Sequence, residues 1–197
     1  MSRRLTQRGK ERRAQLIEYA THRFATDGYH PTSVSDIVDG LGVGKGVFYW
    51  YFSSKEELFI EILRTAQKDM RRRQQKAIAG VEDPVRRLEL GIRAGVEWMA
   101  EHTHERRLFE FARTESTFAP SMRAGQATAV ADAVEHLKEA IVEGRIPDRD
   151  PEALALGILG VSNLLTNVYT DERNETPEHV ADLVVSFCME GIGVPHD

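Results

Sequence analysis

Cysteine is almost absent from this sequence, since Cys188 is the only one among 197 residues. A single thiol cannot close an intramolecular disulfide and cannot build a cysteine-based zinc site. Its neighbours along the chain are apolar, namely Val184, Val185, Phe187 and Met189. We therefore expect a small packing residue and no disulfide scaffold, which is consistent with a reducing compartment.

Long hydrophobic runs are missing as well. The most apolar run, residues 153–161, is interrupted by Ser162 and Asn163, whereas a membrane span needs about 20 residues. The first ten residues are basic and polar, and no apolar stretch follows them, so no secretory signal is recognisable. The composition, 41% hydrophobic and 29% charged, is typical of a soluble globular protein. We expect a soluble cytoplasmic protein without membrane association.

The sequence also lacks the signatures of an enzyme. No nucleophile–base pair, glycine-rich phosphate loop or metal-ligand cluster occurs at a usable spacing. His102 and His104 are flanked by Glu101 and Glu105, but this spacing places the two imidazoles on different faces of a helix. We expect no catalytic residue, no metal and no cofactor, which makes a helical enzyme the disfavoured alternative.

Positive charge is concentrated near one end of the chain. The net charge is −5 overall, but residues 1–73 contain 14 lysines and arginines against 9 aspartates and glutamates. The remainder contains 12 basic and 22 acidic residues, a net charge of −10. This asymmetry suggests that the first third approaches phosphates while the acidic remainder avoids them.

Helical periodicity runs along almost the whole chain, and no alternating strand pattern persists. Apolar spacing, caps and prolines predict helices near 10–25, 33–41, 44–51, 54–79, 84–101, 106–113, 120–143, 151–169 and 177–189. The predicted fold class is all-α. It consists of an N-terminal three-helix domain with a helix-turn-helix, residues 1–53, and a C-terminal helical ligand-binding and dimerisation domain, residues 54–197.

The second and third predicted helices have the spacing of a helix-turn-helix. Asp27 and Gly28 end the first helix, with glycine suited to the left-handed position after it. Ser33, with Asp36 three residues later, forms a short-armed capping box at the start of the second helix. Gly42 ends that helix, and the third follows almost at once.

Five consecutive aromatic residues, from Phe48 to Phe52, end the third helix. At 3.6 residues per turn, Phe48 and Phe52 share one stripe, while Tyr49 and Trp50 point elsewhere. We therefore expect some of these rings to face outward beside Lys45. Their hydroxyl and indole N–H groups can donate to phosphate oxygens, and ring faces can contact thymine methyls. The alternative is an aromatic cluster that only packs helices together.

Three segments closely resemble the TetR/AcrR family of bacterial regulators. They are TSVSDI at 32–37, GVGKGVFYWYF at 42–52 and SKEEL at 54–58. The match covers about residues 10–65, and the rest of the chain agrees in length and helix number. The resemblance implies a DNA-binding helix-turn-helix followed by a helical domain for ligand binding and dimerisation.

The candidate DNA-contacting residues are Thr32, Ser33, Ser35, Lys45, Gly46, Val47, Tyr49, Trp50, Tyr51 and Lys55, and the resemblance assigns this role to all of them except Gly46. The first three lie where the second helix meets phosphates and sometimes a base. Lys45, Val47, Tyr49 and Trp50 lie where the recognition helix enters the major groove, and Tyr51 and Lys55 occupy phosphate-contacting positions. Gly44 and Gly46 have no side chains, which permits close approach of the backbone to DNA, where helix N-terminal amides favour phosphate.

The chain departs from the family pattern at two positions. Gly44 replaces the usual small hydroxyl residue, and Val47 replaces a common threonine, which puts local hydrogen bonding in question there. An apolar Val47 favours a thymine methyl over a polar base edge. Arg3, Arg4 and Arg8 form a basic arm that either reaches DNA or is a solvated tail.

The last two predicted helices are the candidates for pairing of two chains. One short recognition helix contacts few base pairs, so specificity normally requires two copies on a pseudo-palindromic operator. The candidate dimer residues are Leu156, Gly157, Gly160, Val161, Leu164, Val180, Val184 and Phe187. The resemblance implies a four-helix dimer interface, whereas periodicity alone fits an ordinary monomer core equally.

A candidate effector pocket combines apolar and polar side chains, as most small-molecule sites do. Its residues are Trp98, Met99, Phe109, Phe111, Phe118, Met122, Asn163, Asn167 and Tyr169, which fit a closed core equally well. The resulting hypothesis is a homodimeric repressor that a small apolar molecule releases from double-stranded DNA. The alternatives are a transcriptional activator and a DNA-organising protein without an effector.

Overall fold

The computed structural model describes residues 6–194, and within this range all regular structure is helical. The helices are α1 Gln7–Asp27, α2 Val34–Gly40, α3 Lys45–Tyr51, α4 Lys55–Ile78, α5 Pro84–Glu101, α6 Thr103–Thr114, α7 Ala119–Val142, α8 Pro151–Asn167 and α9 Pro177–Ile192. A π-helical turn, Val168–Glu172, extends α8. The all-α prediction is confirmed.

Side-chain caps set the starts of most helices. The Asp83 carboxylate accepts a hydrogen bond from the backbone N–H of Val85 at 2.9 Å, and the Asp150 carboxylate accepts one from Glu152 at 3.0 Å. A proline follows each cap, in the first turn, where its missing N–H costs nothing. A cap of this kind stabilises a helix by about 1 kcal/mol. These starts are local in origin, and the sequence predicted them correctly.

The described chain forms two compact bodies. The first comprises the residues up to Ala66 together with His104–Met122, and the second comprises Gln67–Thr103 and the residues from Arg123 onward. The domain boundary predicted after residue 53 therefore lies before the boundary between these two bodies, which falls after Ala66 within α4.

The first body packs α1, α2, α3 and the first half of α4 around one core. Its fully buried apolar residues include Leu16, Phe24, Ile37, Val38, Phe48, Leu58, Phe59 and Leu63. α1 approaches α2 very closely, because a Cβ atom on Gly40 would lie 1.9 Å from the hydroxyl oxygen of Tyr19. A side chain at position 40 would therefore have to displace the Tyr19 ring.

An aromatic cluster extends this core to α6 and the start of α7. The Phe59 and Phe118 ring centres lie 4.4 Å apart, and the Tyr29 ring lies 4.9 Å from Phe59 and 5.0 Å from Phe118. Phe111 contacts the same rings, 5.6 Å from Tyr29. The edge-to-face pairs among them, Tyr29 with Phe59 and Tyr29 with Phe118, add about 0.5–1.5 kcal/mol each to the stabilisation from burial.

The second body is organised around α5, which packs against α8 and, most extensively, against α9. An ion pair between Arg93 and Asp182, 2.7 Å long, joins α5 to α9. Val180 and Val184 are fully buried in this packing. Cys188 is also buried, and burial raises the pKa of its thiol to about 11. This agrees with the packing role predicted for it.

Candidate nucleic-acid interface

The capping box at the start of α2 is complete. The Ser33 hydroxyl accepts a hydrogen bond from the backbone N–H of Asp36 at 3.2 Å, while the Asp36 carboxylate accepts from the Ser33 backbone N–H and hydroxyl, both at 2.7 Å. Hydrogen bonding by Ser33 lowers the pKa of Asp36. These reciprocal bonds hold the N-terminus of α2 in place, as the sequence predicted.

The turn between α2 and α3 depends on Gly42, whose φ of 63° lies in the left-handed region that glycine tolerates best. The backbone N–H of Val43 donates to the Val38 carbonyl at 2.9 Å and closes the turn. α3 then begins after Gly44, which offers no side-chain cap. A Cβ atom at Gly44 or Gly46 would meet nothing within 4 Å in the described structure, so open space surrounds this end of α3.

The aromatic residues of α3 divide between core and surface. Phe48 and Phe52 are buried, with 0% and 2% of their surface exposed. Tyr49 and Trp50 are 56% and 54% exposed, which is unusual for large rings. Lys45 is exposed on the same helix and forms no ion pair in the part of the chain that the structure describes. Packing therefore accounts for Phe48 and Phe52, and α3 presents a cation and two large rings to solvent.

Thr32 and Ser33 are placed differently from the prediction. Thr32 is 2% exposed, and its hydroxyl donates to the Gly28 carbonyl at 2.8 Å. The Ser33 hydroxyl is engaged by Asp36. Both hydroxyls form hydrogen bonds within the loop before α2. The expectation that Thr32 projects toward phosphate is corrected, because its side chain is buried. Ser33 is exposed, but its hydroxyl is already bonded to Asp36. Ser35, further along α2, is half-buried.

Lys55, a predicted phosphate contact, forms hydrogen bonds within the first body. Its ammonium donates to the carbonyl oxygens of Tyr29 at 2.9 Å and Thr32 at 3.0 Å, and it lies 4.2 Å from the centre of the Tyr29 ring. A lysine has three N–H donors, and the ammonium also donates to the His30 carbonyl oxygen at 3.5 Å, so its three partners all belong to the loop before α2. Lys55 therefore holds the loop that precedes α2. Tyr51, the other predicted phosphate contact, is half-buried, with its ring against Trp50 at 4.5 Å.

Two residues that the sequence analysis missed support this arrangement. The Tyr29 hydroxyl donates to the Glu56 carboxylate at 3.2 Å, and burial together with Glu56 raises the pKa of Tyr29. Arg13 pairs with Glu61 at 2.7 Å and lies 5.1 Å from the centre of the Phe52 ring. Neither residue lies in a recognisable motif, so no local signal identifies them. Of the predicted basic arm, Arg3 and Arg4 lie outside the described residues.

A family model described as "Bacterial regulatory proteins, tetR family" matches residues 16–62, the segment that contains α2, the turn and α3. The resemblance to the TetR/AcrR family is therefore confirmed for this segment. It is 29% identical over 125 residues to the "Probable acrEF/envCD operon repressor" of Escherichia coli K12, covering 63% of this chain and 57% of that protein. It is 35% identical over 91 residues to the "HTH-type transcriptional repressor KstR2" of Mycobacterium tuberculosis H37Rv, covering 46% of each.

The sequence matches span about half the length of these two curated relatives. A solved structure of a tetR-family regulatory protein from Rhodococcus RHA1 matches over more of the chain. Its TM-score is 0.83 at 20% identity, covering 94% of this chain and 99% of that one. The TetR-type fold therefore extends through the second body. The relatives named here are regulators and not enzymes, in agreement with the expectation that this chain is not an enzyme.

The residues proposed for the effector pocket divide between the two bodies. The first body contains Phe109, Phe111, Phe118 and Met122, and the second contains Trp98, Met99, Asn163, Asn167 and Tyr169. Phe118 belongs to the aromatic core of the first body. Trp98 is 2% exposed, and its indole N–H donates to Asp69 at 2.9 Å. Both residues therefore have a structural role within their own body.

The candidate dimer residues separate into buried and exposed groups. Val180 and Val184 are fully buried against α5, so they are part of the core of the single chain, which corrects their assignment. Val161 is half-buried. The exposed group is Leu156, Gly157, Gly160, Leu164 and Phe187, which we call the α8–α9 surface. Leu164 and Phe187 are 65% and 57% exposed.

The two histidines near the end of α5 are not placed as a metal site. The His102 ring stacks on Trp98 in the second body, with ring centres 4.2 Å apart. His104 stacks on His22 in the first body at 5.1 Å. No group of three or more metal-ligating side chains was found among residues 6–194.

Proposed function

We propose that this TetR-family chain is a transcriptional regulator that binds double-stranded DNA as a homodimer. In this proposal it is a cytoplasmic repressor that a small molecule releases from its operator. The observation that carries the proposal is the outward face of α3, where Lys45, Tyr49 and Trp50 are exposed beside open space at Gly46. We call these four residues the recognition face.

The chemistry of the recognition face suits the major groove. The Tyr49 hydroxyl and the Trp50 indole N–H can donate hydrogen bonds to phosphate or base edges, and Lys45 adds a positive charge. Gly46 lets the backbone of α3 come close to DNA without a steric clash. Full burial of a large apolar side chain stabilises a fold by about 1.5–3 kcal/mol, and these half-exposed rings forgo part of it, so their exposure is better explained by a partner than by folding.

The α8–α9 surface supports the dimer. Pro151–Glu172 is long and apolar enough, by length and composition alone, to cross a membrane, and 17% of its most apolar window is buried. Buried Ser162 and Thr166, and the packing of α8 on α5 and α9, integrate this helix into the second body. Its exposed apolar side is therefore better covered by a second chain, and pairing of two chains presents two recognition faces to one operator.

The effector part of the proposal rests on the family and on the mixed apolar and polar character of the candidate residues. A ligand that prefers one conformer by about 1–3 kcal/mol changes operator occupancy by a factor between several and about a hundred. The word "repressor" in the names of the two curated relatives favours repression over activation. A DNA-organising protein without an effector remains the contrasting hypothesis, and it predicts equal affinity for operator and random DNA.

The decisive experiment measures binding to fluorescently labelled promoter DNA by anisotropy over a range of salt concentrations. The double variant Lys45→Ala/Tyr49→Ala should lose at least a hundredfold in affinity, while its circular dichroism and its size remain unchanged. The control Lys76→Ala removes an exposed cation from the far end of α4 and should bind like the wild type. Unchanged binding by the double variant would refute the recognition face.

A further inference from the structure

A groove of about 790 Å³ lies on the second body, between α7 and the start of α8. We call it the α7 groove, and it is lined by Arg123, Gln126, Ala127, Val130, Ala131, Val134, Lys138, Asp150, Pro151, Glu152 and Leu156. The α7 members recur every three or four residues and therefore share one helix face. Four of them are alanine or valine, so another helix can approach this face closely.

Side chains of both charge signs border the α7 groove. Arg123 and Lys138 come from α7, whereas Asp150 and Glu152 come from the start of α8. Asp150 caps α8, but Arg123 and Lys138 form no ion pair anywhere in residues 6–194. In a dimer with two-fold symmetry, a contact between residue i of one chain and residue j of the other is repeated between residue j of the first chain and residue i of the second. A groove with one basic and one acidic border is therefore complementary in charge to a second copy of itself.

We propose that the α7 groove is a contact surface for a second copy of this chain, so that the dimer interface extends from the α8–α9 surface onto α7. The inference rests on the homodimer in the proposed function and adds a surface to it. Leu156 connects the two surfaces, because it lines the α7 groove and is 44% exposed beside Gly157 on α8. Val142, 87% exposed at the end of α7, continues the apolar surface one turn beyond Lys138.

The first test places a charge inside the α7 groove. Ala131 is exposed in the single chain, so Ala131→Glu leaves the fold intact and buries an unpaired carboxylate only when the partner is bound. We expect the dimer Kd, measured by sedimentation equilibrium, to rise at least tenfold. The matched control is Thr128→Glu, which adds the same charge to an exposed α7 position outside the groove and should change the Kd less than twofold.

The second test uses the charges directly. One variant, Arg123→Glu/Lys138→Glu, makes both borders of the groove acidic, and a second variant, Glu152→Lys, adds a cation to the acidic border. Each should dimerise at least tenfold more weakly than the wild type, because like charges meet in the homodimer. Mixed together, the two variants should form heterodimers in preference to either homodimer, with a Kd near that of the wild type.

The outcomes separate this inference from the proposed function. A wild-type chain that remains monomeric at micromolar concentration refutes the homodimer and the groove contact together. A wild-type dimer that Leu164→Glu dissociates, but that Ala131→Glu and the charge variants leave intact, refutes only the groove contact. The groove inference is also overturned if Ala131→Glu removes a tetramer and preserves the dimer, since the groove would then join dimers rather than chains.

Discussion

The Lys55 ammonium lies over the Tyr29 ring, 4.2 Å from its centre, while donating to the Tyr29 carbonyl oxygen at 2.9 Å. This pair fixes the loop that leads into α2. Family resemblance implies a phosphate contact for the same lysine, whereas the geometry gives it a role in positioning α2. The two roles predict different experimental behaviour.

We predict that Lys55→Ala lowers the free energy of unfolding by about 1–3 kcal/mol, because it removes a charged hydrogen-bond donor and a cation–π contact. Urea unfolding measures this loss. The slope of log affinity against log salt should remain that of the wild type, since each lost phosphate contact changes it by about 0.9. Lys45→Ala is the matched comparison and should reduce the slope while leaving stability unchanged. The reverse pattern would make Lys55 a phosphate contact.

A second prediction concerns acid sensitivity at the start of α2. Ser33 lowers the pKa of Asp36 in the folded chain, so the folded state favours the ionised carboxylate. This contribution is present above the unfolded pKa of about 3.9 and is lost as the pH falls through the lowered folded value. Urea unfolding at several pH values should show a smaller loss of stability in acid for Asp36→Asn than for the wild type. Asp39→Asn, on the same helix, serves as the control, and identical acid profiles for all three proteins would contradict the prediction.

Val47 allows a test of base recognition that does not change the fold. If its methyl groups contact a thymine methyl, operators with deoxyuridine in place of single thymidines should show one position per half-site where wild-type affinity falls several-fold, or about 1 kcal/mol. The Val47→Ala variant should bind more weakly to the thymidine operator and show no further loss at that position. An equal loss for both proteins would mean that Val47 does not contact the methyl group.

Gly40 and Tyr19 provide a prediction about the first body. Gly40→Ala should destabilise the protein by about 1–3 kcal/mol, because the added Cβ overlaps the Tyr19 side chain, whose hydroxyl oxygen would be 1.9 Å away. The double variant Gly40→Ala/Tyr19→Ala removes the overlap, so its loss should be smaller than the sum of the two single losses. Thermal unfolding of the four proteins gives this double-mutant cycle. Additive losses would show that the two residues do not interact.

Much of the local structure could be predicted from the residues alone. The capping box at Ser33, the end of α2 before Gly42 and the proline-led starts of α5, α8 and α9 agree with the structure to within about two residues. The division of the α3 rings was also predicted, because Phe48 and Phe52 are one helical turn apart. These features depend on interactions within a few residues, which spacing describes directly.

Side-chain environments that depend on distant segments were predicted less well. Lys55 was assigned to phosphate, yet it binds a carbonyl 26 positions earlier in the chain. Val180 and Val184 share an apolar pattern with Phe187, but only the packing of α5 separates core from surface. The candidate pocket residues also fall into two bodies whose division lies within one continuous helix.

The sequence by itself determined the all-α class, the starts of α2, α5, α8 and α9 and the outward orientation of Tyr49 and Trp50, because caps, prolines and the 3.6-residue period act over short distances. Tertiary structure alone decided which apolar faces are covered within the chain and which are left exposed. It also decided that Thr32 is buried and that Lys55 donates to carbonyl oxygens of the first body. The physical reason is that burial depends on which segments meet in space, and local spacing does not encode those long-range contacts.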